Sequence, residues 1–209
     1  MIDYKLQSDL QDPSDIRLLV EQLRTKALEL PFKSVGELVE LRLTDADYEN
    51  CDQSDPLYYL LMMAKQYVET SDSVVEVKPK HIIAFSTNPG DGCTPACFGL
   101  VLIPTTLDSE RHGWSWIILV RTIGASSADC GGIENFLRCH LAIVQLLDFA
   151  DELGIVKYVD DVGEYWEKRN INDLAAEATH WNCLLAGVTD QSIVEAAIAK
   201  LPNYEYLEA

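Results

Sequence analysis

Three apolar segments in HIIAFSTNPGDGCTPACFGLVLI (residues 81–103) and WSWIILVRTI (residues 114–123) decide the fold class. They predict strands at His81–Ser86, Phe98–Ile103 and Trp114–Ile123, because β-branched and aromatic residues are concentrated there between turn-forming stretches. The two connections are similar in length and contain turn residues, so an antiparallel meander is the simplest topology. Both alternating sets of the last segment are largely apolar, which indicates a central strand with helices on at least one face.

The segments on both sides of this centre have the residue spacing of helices. Apolar residues recur there every three or four positions, behind residues that cap or begin helices. The longest predicted helix is Ile133–Leu153, which is amphipathic and is followed by Gly154; its predicted inner residues include Phe136, Leu137, His140, Val144 and Leu147. The other predicted starts are Asp12–Pro13, Ser34 with Glu37, Asp55–Pro56, Asn172 or Asp173, and Thr189 or Asp190, with Gly187 past the end of the helix from Asn172 or Asp173. The helix from Asp55–Pro56 has a predicted inner stripe that runs to Val68.

These patterns predict an α+β fold with a central antiparallel sheet of about four strands, including Val74–Val77, within residues 74–123. Charge divides the chain in the same way. Residues 1–78 have 8 basic and 16 acidic side chains, residues 79–128 have 3 of each, and residues 129–209 have 5 and 15. Without a linker-like stretch, we expect one domain over 1–209, with helical parts at 1–72 and 124–209 around a sheet at 73–123.

The composition excludes several classes of function. The chain of 209 residues is 48% hydrophobic and has a formal net charge of −18, which repels nucleic-acid phosphates and anionic lipids. The polar N-terminal stretch has no secretory pattern, and no apolar run is long enough for a membrane span, so the cytoplasm is the expected location. There the six cysteines should be free thiols. The sequence identifies no cofactor and leaves the oligomeric state open.

One region is a candidate site. In a meander, the loops Thr87–Cys97 and Gly124–Gly132 lie at the same end of the sheet, and both are rich in small residues that let a backbone approach a ligand. The second loop leads into the N-terminus of the Ile133 helix, which favours an anion or a thiolate. The alternative is two surface turns with a helix cap. The candidate pocket residues are Asp91, Cys93, Arg121, Ser126, Ser127, Asp129, Cys130, Glu134 and Asn135.

Three other patterns have weaker support. Cys130 with His140 would be a nucleophile and base, but His140 lies on the apolar stripe of its helix, where a histidine is usually a core residue. Cys93, Cys97, Cys139 and His140 include ligands of the kind zinc prefers, but only one pair has the right spacing. The carboxylates Asp160, Asp161, Glu164 and Glu167 fit a solvated surface, since Lys168 and Arg169 follow them.

No stretch has a phosphate-binding glycine fingerprint, a nucleophile elbow or an HExxH zinc motif. We therefore expect a cytoplasmic, non-catalytic binding or regulatory module, with a small molecule or a protein as its partner. The alternative is a small-molecule enzyme with its pocket at the loops Thr87–Cys97 and Gly124–Gly132. In that enzyme, Arg121 would bind an anionic group, and Cys130 or Asp91 would act chemically.

Overall fold

The computed structural model describes residues 1–52, 57–69, 74–103 and 113–186. Within these ranges, two 3₁₀ turns (Ile123–Ser126 and Ala128–Cys130) precede the longest helix. The strands are β1 (Ile2–Ser8), β2 (Ser34–Val35), β3 (Val39–Arg42), β4 (Gln66–Glu69), β5 (Val74–Val77), β6 (His81–Asn88), β7 (Ala96–Ile103), β8 (Gly113–Val120) and β9 (Val156–Asp161). The helices are α1 (Pro13–Glu29), α2 (Asp45–Glu49), α3 (Tyr58–Ala64), α4 (Gly132–Glu152), α5 (Tyr165–Lys168) and α6 (Ile171–Ala186).

The main sheet has seven strands, all paired antiparallel. Strands β6, β7 and β8 lie side by side as the predicted meander, β1 and β9 extend it beyond β8, and β2 and β3 both pair with β6. The predicted α+β class with a central antiparallel sheet is therefore confirmed, and the sheet is wider than the four strands expected. Strand β8 ends at Val120, because the predicted last residue, Ile123, begins a 3₁₀ turn.

Strand β1 lies between β8 and β9 and was missed by the sequence analysis. Ile2, Tyr4 and Leu6 alternate with polar residues and are fully buried, so a stretch that looks polar in composition has one apolar face. The Tyr4 hydroxyl donates a hydrogen bond of 2.6 Å to the carbonyl oxygen of Cys97 on β7. This bond ties the N-terminal strand to the centre of the sheet.

The helix predicted from Ser34 and Glu37 is wrong, because this segment forms β2 and β3 along the edge of β6. An unpaired strand edge offers a row of backbone donors and acceptors, and pairing with it outweighs a local capping pattern. Gly36, between the two short strands, donates its N–H to the carbonyl oxygen of Ser86 at 2.8 Å. A side chain at position 36 would approach that oxygen to 3.1 Å.

Val74–Val77 forms a strand as predicted, but it pairs with β4 in a separate two-stranded sheet instead of joining the meander. Helix α3 ends at Ala64, short of the predicted stripe that ran to Val68. Gln66 explains this end, because its side-chain amide donates to the carbonyl oxygens of Ala64 and Lys65. Its Oε1 accepts a hydrogen bond from the N–H of Ile117 on β8, at 3.3 Å.

Helices α1 and α4 bury the apolar faces that the sequence predicted. Helix α1 starts behind Asp12, whose carboxylate accepts a hydrogen bond from the N–H of Ser14, and it packs against β6 and β7. Helix α4 contacts α1, α6 and β9. Its predicted inner residues are all buried: Phe136, Leu137, His140, Val144 and Leu147. Among the described residues, no helix is long and apolar enough to cross a membrane.

The C-terminal part differs from the prediction in β9, which adds an edge strand to the sheet. The next long helix, α6, starts at Ile171, close to the predicted Asn172 or Asp173, and the Asn170 side chain accepts hydrogen bonds from the N–H groups of both residues. Three predictions lie outside the described residues: the helix start at Asp55–Pro56, the stop at Gly187 and the helix from Thr189 or Asp190.

Candidate functional site

The two loops of the predicted site pack directly against each other. A side chain at Gly92 would come within 2.5 Å of the backbone of Gly124, and the reverse substitution would meet the Gly92 carbonyl oxygen at the same distance. Thr94 donates its N–H to the carbonyl oxygen of Arg121 at 3.0 Å and accepts the Arg121 N–H on its hydroxyl at 2.9 Å. The loops thus lie at one end of the sheet, but their backbones fill the space between them.

Several of the candidate polar groups are engaged in holding this arrangement together. The Asn135 amide donates to the carbonyl oxygens of Asp91 and Ala125, and so bridges the two loops. The Asp91 carboxylate forms an ion pair with Lys33, and the Ser126 hydroxyl donates to a carbonyl oxygen within its own turn. The remaining candidates are exposed at this end, except for the half-buried Cys93 and Cys130: Arg121, Ser127, Asp129 and Glu134.

Cys130 lies in the second 3₁₀ turn, two residues before α4 begins, and Gly131 rather than a side chain stands at the helix cap. His140 is not positioned to act as a base that takes a proton from Cys130. Its Nε2 donates to the carboxylate of Asp161 at 2.9 Å, and its Nδ1 lies 3.4 Å from the hydroxyl of Thr122. The structure therefore places the imidazole in a hydrogen-bonded chain that does not include Cys130.

The four proposed zinc ligands do not converge on one site, although Cys93 and Cys139 are neighbours. The buried Cys97 lies on β7, where burial raises the pKa of its thiol to about 12, and His140 is bonded to Asp161. Within the described ranges, no group of three histidine, cysteine or acidic side chains could hold a metal ion. The spacing of Cys93 and Cys97 failed as a signal because Cys97 belongs to a buried strand.

The structure instead pairs Cys93 with Cys139, whose thiols are hydrogen-bonded to each other. The Cys139 sulfur also accepts a hydrogen bond from Nη2 of Arg138 at 3.3 Å and lies 3.2 Å from the carbonyl oxygen of Pro89. The hydrogen bond from Cys93 lowers the pKa of Cys139, against the effect of burial and with help from the Arg138 charge. The same hydrogen bond and burial raise the pKa of Cys93.

The carboxylate cluster predicted to be solvated is divided by the structure. Asp160 and Glu167 are exposed, whereas Asp161 is 3% exposed and lies at the end of β9. Burial raises the pKa of the Asp161 carboxyl, but the hydrogen bond and charge of His140, with backbone N–H groups, hold it below its ordinary value. The prediction that Asp161 lies on the solvated surface is thus wrong. Its charged neighbours in sequence indicated solvent exposure, whereas its buried partner, His140, lies 21 residues earlier in the chain.

This buried pair lies beside a cleft that sequence reasoning did not find. The cleft has a volume of about 250 Å³ and an almost entirely apolar lining. Four of its lining residues are large apolar side chains that remain 36–46% exposed: Met1, Ile123, Val162 and Trp181. The other lining residues come from α4, α6 and the turn after β9: Phe136, His140, Leu174, Glu177, Ala178 and Gly163. None of the nine candidate pocket residues lines it.

No signal in one stretch of sequence points to this cleft, because its walls come from five separated parts of the chain. The predicted inner stripe of α4 does contain Phe136 and His140, but periodicity cannot show that their helix leaves a gap beside α6. Comparisons of the chain with protein-family models, with characterised proteins and with solved structures found no match.

Proposed function

We propose that this chain is a non-catalytic binding or regulatory module and that it binds a compact apolar molecule in the cleft between α4 and α6. The observation that carries the proposal is the cleft itself, with an apolar lining and exposed apolar residues at its rim. Contiguous exposed apolar surface on a protein is characteristic of a binding site, since it otherwise favours aggregation. Small-molecule sites are likewise concave and mostly apolar.

The size of the cleft limits the ligand. Its volume of about 250 Å³ exceeds the roughly 150 Å³ of an engineered apolar cavity that binds benzene, and lies just below the range of about 300–1,000 Å³ typical of ligand pockets. A ligand of two or three fused or linked rings fits this range. Phe136 and Trp181 provide aromatic surface for stacking, and such ring pairs contribute about 0.5–1.5 kcal/mol beyond burial.

The hydrogen bonds around the cleft support binding over catalysis. Both ring nitrogens of His140 already have protein partners, so the imidazole presents carbon atoms to the cleft. The Trp181 indole N–H donates to Glu177 at 3.4 Å. A ligand would therefore be held mainly by apolar burial and ring contacts. The enzyme alternative at the loops with Arg121 and Cys130 has less support, because backbone fills the space between those loops.

Two further parts of the proposal concern location and partners. We propose the cytoplasm, and the five cysteines of the described part are free thiols, as a reducing compartment favours. The net charge of −18 supports a partner other than nucleic acid, because counterion release requires basic contacts.

The test uses N-phenyl-1-naphthylamine, a neutral aromatic probe with a phenyl and a naphthyl group. Its fluorescence increases when it moves from water into an apolar environment. We expect saturable fluorescence enhancement with the native protein. Trp181→Ala should weaken the probe's affinity about 2- to 10-fold, the equivalent of one lost aromatic contact. Ala178→Leu, which adds volume at the cleft wall, should abolish binding.

The matched control is Leu28→Ala, which removes an apolar side chain that is 57% exposed and does not line the cleft. Its affinity for the probe should equal that of the native protein. Thermal unfolding of each variant checks that the fold is intact. Equal probe affinity in the native protein, Trp181→Ala and Ala178→Leu would refute the proposal, as would a lack of saturable binding.

A further inference from the structure

A second feature of the molecule surrounds the sulfur of Cys139 on helix α4, outside the proposed ligand cleft. The turn from Gly90 to Cys93 folds over the sulfur of Cys139. Cys93 donates its N–H to the Gly90 carbonyl oxygen at 3.2 Å, and a Cβ at Gly90 would lie 2.5 Å from the Cys139 sulfur. This turn brings the two thiols, 46 positions apart in sequence, close enough for each to shift the pKa of the other.

The two sulfurs have different access to solvent. Cys139 is fully buried on α4, whereas Cys93 is half-buried in the loop. Arg138 places a guanidinium nitrogen 3.3 Å from the Cys139 sulfur, so a single negative charge on the pair is stabilised. That charge lies mainly on Cys139, whose pKa is lowered, and transfer of the Cys93 proton to Cys139 gives the minor form in which the more accessible Cys93 is the thiolate.

We propose that Cys93 and Cys139 are a redox-active thiol pair that forms a reversible disulfide when the protein meets a hydroperoxide. The Cys93 thiolate attacks one peroxide oxygen, the O–O bond breaks, and the leaving hydroxide takes a proton to become water. Cys93 is then a sulfenic acid. The Cys139 sulfur attacks the Cys93 sulfur and displaces hydroxide, which takes the Cys139 proton and leaves as a second water. Two thiols are oxidised by two electrons, and one peroxide is reduced to two waters.

The third thiol in this region gives the proposal a built-in comparison. Cys130 is half-buried and close enough to Cys93 to interact with it electrostatically, but its side chain is not the hydrogen-bond partner of Cys93. If mere proximity decided the product, Cys130 would compete for the sulfenic acid. The contact between Cys93 and Cys139 instead specifies Cys139 as the thiol that attacks the Cys93 sulfenic acid and forms the disulfide.

The experiment treats the native full chain with a small excess of hydrogen peroxide, blocks free thiols with N-ethylmaleimide and maps peptides by mass spectrometry without reduction. We expect loss of two hydrogens and one cross-linked peptide pair containing Cys93 and Cys139, both reversed by dithiothreitol. In Cys139→Ala, Cys93 should stop at the sulfenic acid and be trapped by dimedone. Cys93→Ser should give no disulfide at Cys139.

Cys130→Ser is the matched control and should form the Cys93–Cys139 disulfide in the native yield. The wild-type peptide map decides the question even if substitution of the buried Cys139 impairs folding. A disulfide between Cys93 and Cys130, or oxidation of Cys93 to the sulfinic acid without any internal disulfide, would overturn the proposal. The naphthylamine assay is unaffected by either result, so this proposal and the proposed ligand site fail separately.

Discussion

Asp161 organises the buried end of β9, and replacing it with asparagine is a sharp test of the structure. The side chain keeps its shape but loses its charge and replaces one acceptor oxygen by an NH₂ donor. The carboxylate accepts four hydrogen bonds, three on Oδ2 and one on Oδ1. The donors are His140 Nε2 at 2.9 Å and the backbone N–H groups of Gly163 at 3.0 Å, Tyr165 at 3.1 Å and Trp166 at 3.2 Å.

The best orientation of asparagine at position 161 places its oxygen where Oδ2 was and turns its NH₂ towards the N–H of Gly163. One hydrogen bond is then replaced by two opposed donors, and the other three lose their assistance from the negative charge. Hydrogen bonds to charged groups contribute about 1.5–3 kcal/mol, against about 0.5–1.5 kcal/mol for neutral pairs. We therefore expect Asp161→Asn to lower the free energy of unfolding by about 2–4 kcal/mol at pH 7.

The pH dependence follows from the depressed pKa of Asp161 in the folded protein, where His140 and backbone donors outweigh burial. For such an acid, the stability it contributes is present above the unfolded-state pKa of about 3.9 and is lost as pH falls through the folded-state pKa. The difference between native protein and Asp161→Asn should therefore be large at neutral pH. It should shrink below about pH 4, where the carboxyl of the unfolded chain takes up a proton while the native carboxylate is still ionised.

Urea unfolding, followed by tryptophan fluorescence at pH 7, 5 and 3.5, measures both effects. The matched control is Asp160→Asn, the same chemical change at the exposed neighbouring position, which should not lower stability and should raise it by at most about 1 kcal/mol, because it removes the repulsion between Asp160 and Asp3. A cost below about 1 kcal/mol for Asp161→Asn at pH 7, or an unchanged difference at pH 3.5, would refute the assigned hydrogen-bond network.

Three further substitutions test other parts of the fold by urea unfolding. Gly92→Ala should lower the free energy of unfolding by at least about 1–3 kcal/mol more than Gly132→Ala does. Both residues have positive φ, but only a side chain at position 92 would overlap neighbouring backbone. Equal losses of stability would contradict the close contact between the loops. Tyr4→Phe should lower the free energy of unfolding by about 1–3 kcal/mol, because the buried carbonyl oxygen of Cys97 loses the hydroxyl that donates to it. An unchanged stability would argue against that hydrogen bond. Asp3→Asn should stabilise the protein by about 0.2–1 kcal/mol at pH 7, because burial and the facing Asp160 raise the pKa of Asp3; a destabilising effect would contradict the repulsion between the two carboxylates.

The predictable parts of the fold were those encoded in one continuous stretch. The β-branched and aromatic segments within residues 81–123 and the helical stripe of Ile133–Leu153 are local signals, and the structure forms strands and a helix there. The meander then placed the two loops at one end by topology alone. Strands β2 and β3 were mispredicted because pairing with the edge of β6 is a long-range interaction that a capping pattern cannot show.

The site was less predictable because its members are far apart in sequence. Asp161 follows another aspartate in a charged run, and that composition usually means solvent. A more specific signal was present. An aspartate two residues before Gly163 and four before Tyr165 has the spacing of a side chain that accepts backbone N–H groups at a turn into a helix, and Asp161 does this. Its bond to His140 still requires knowledge of the tertiary structure.

Thr122 connects the two proposed sites physically. Its carbonyl oxygen lies 4.0 Å from the Cys93 sulfur, while its hydroxyl lies 3.4 Å from Nδ1 of His140. On α4, Cys139 and His140 are consecutive, so their side chains point about 100° apart, one towards the thiol pair and the other towards the cleft. A ligand in the cleft and a disulfide at Cys139 thus act on the same short piece of backbone.

Equilibrium coupling between two sites is reciprocal. If the naphthylamine probe binds the oxidised protein more weakly than the reduced protein, it must make the disulfide easier to reduce by the same factor. A redox titration with and without the probe measures that factor, and an identical thiol–disulfide equilibrium in both would show that α4 isolates the two sites.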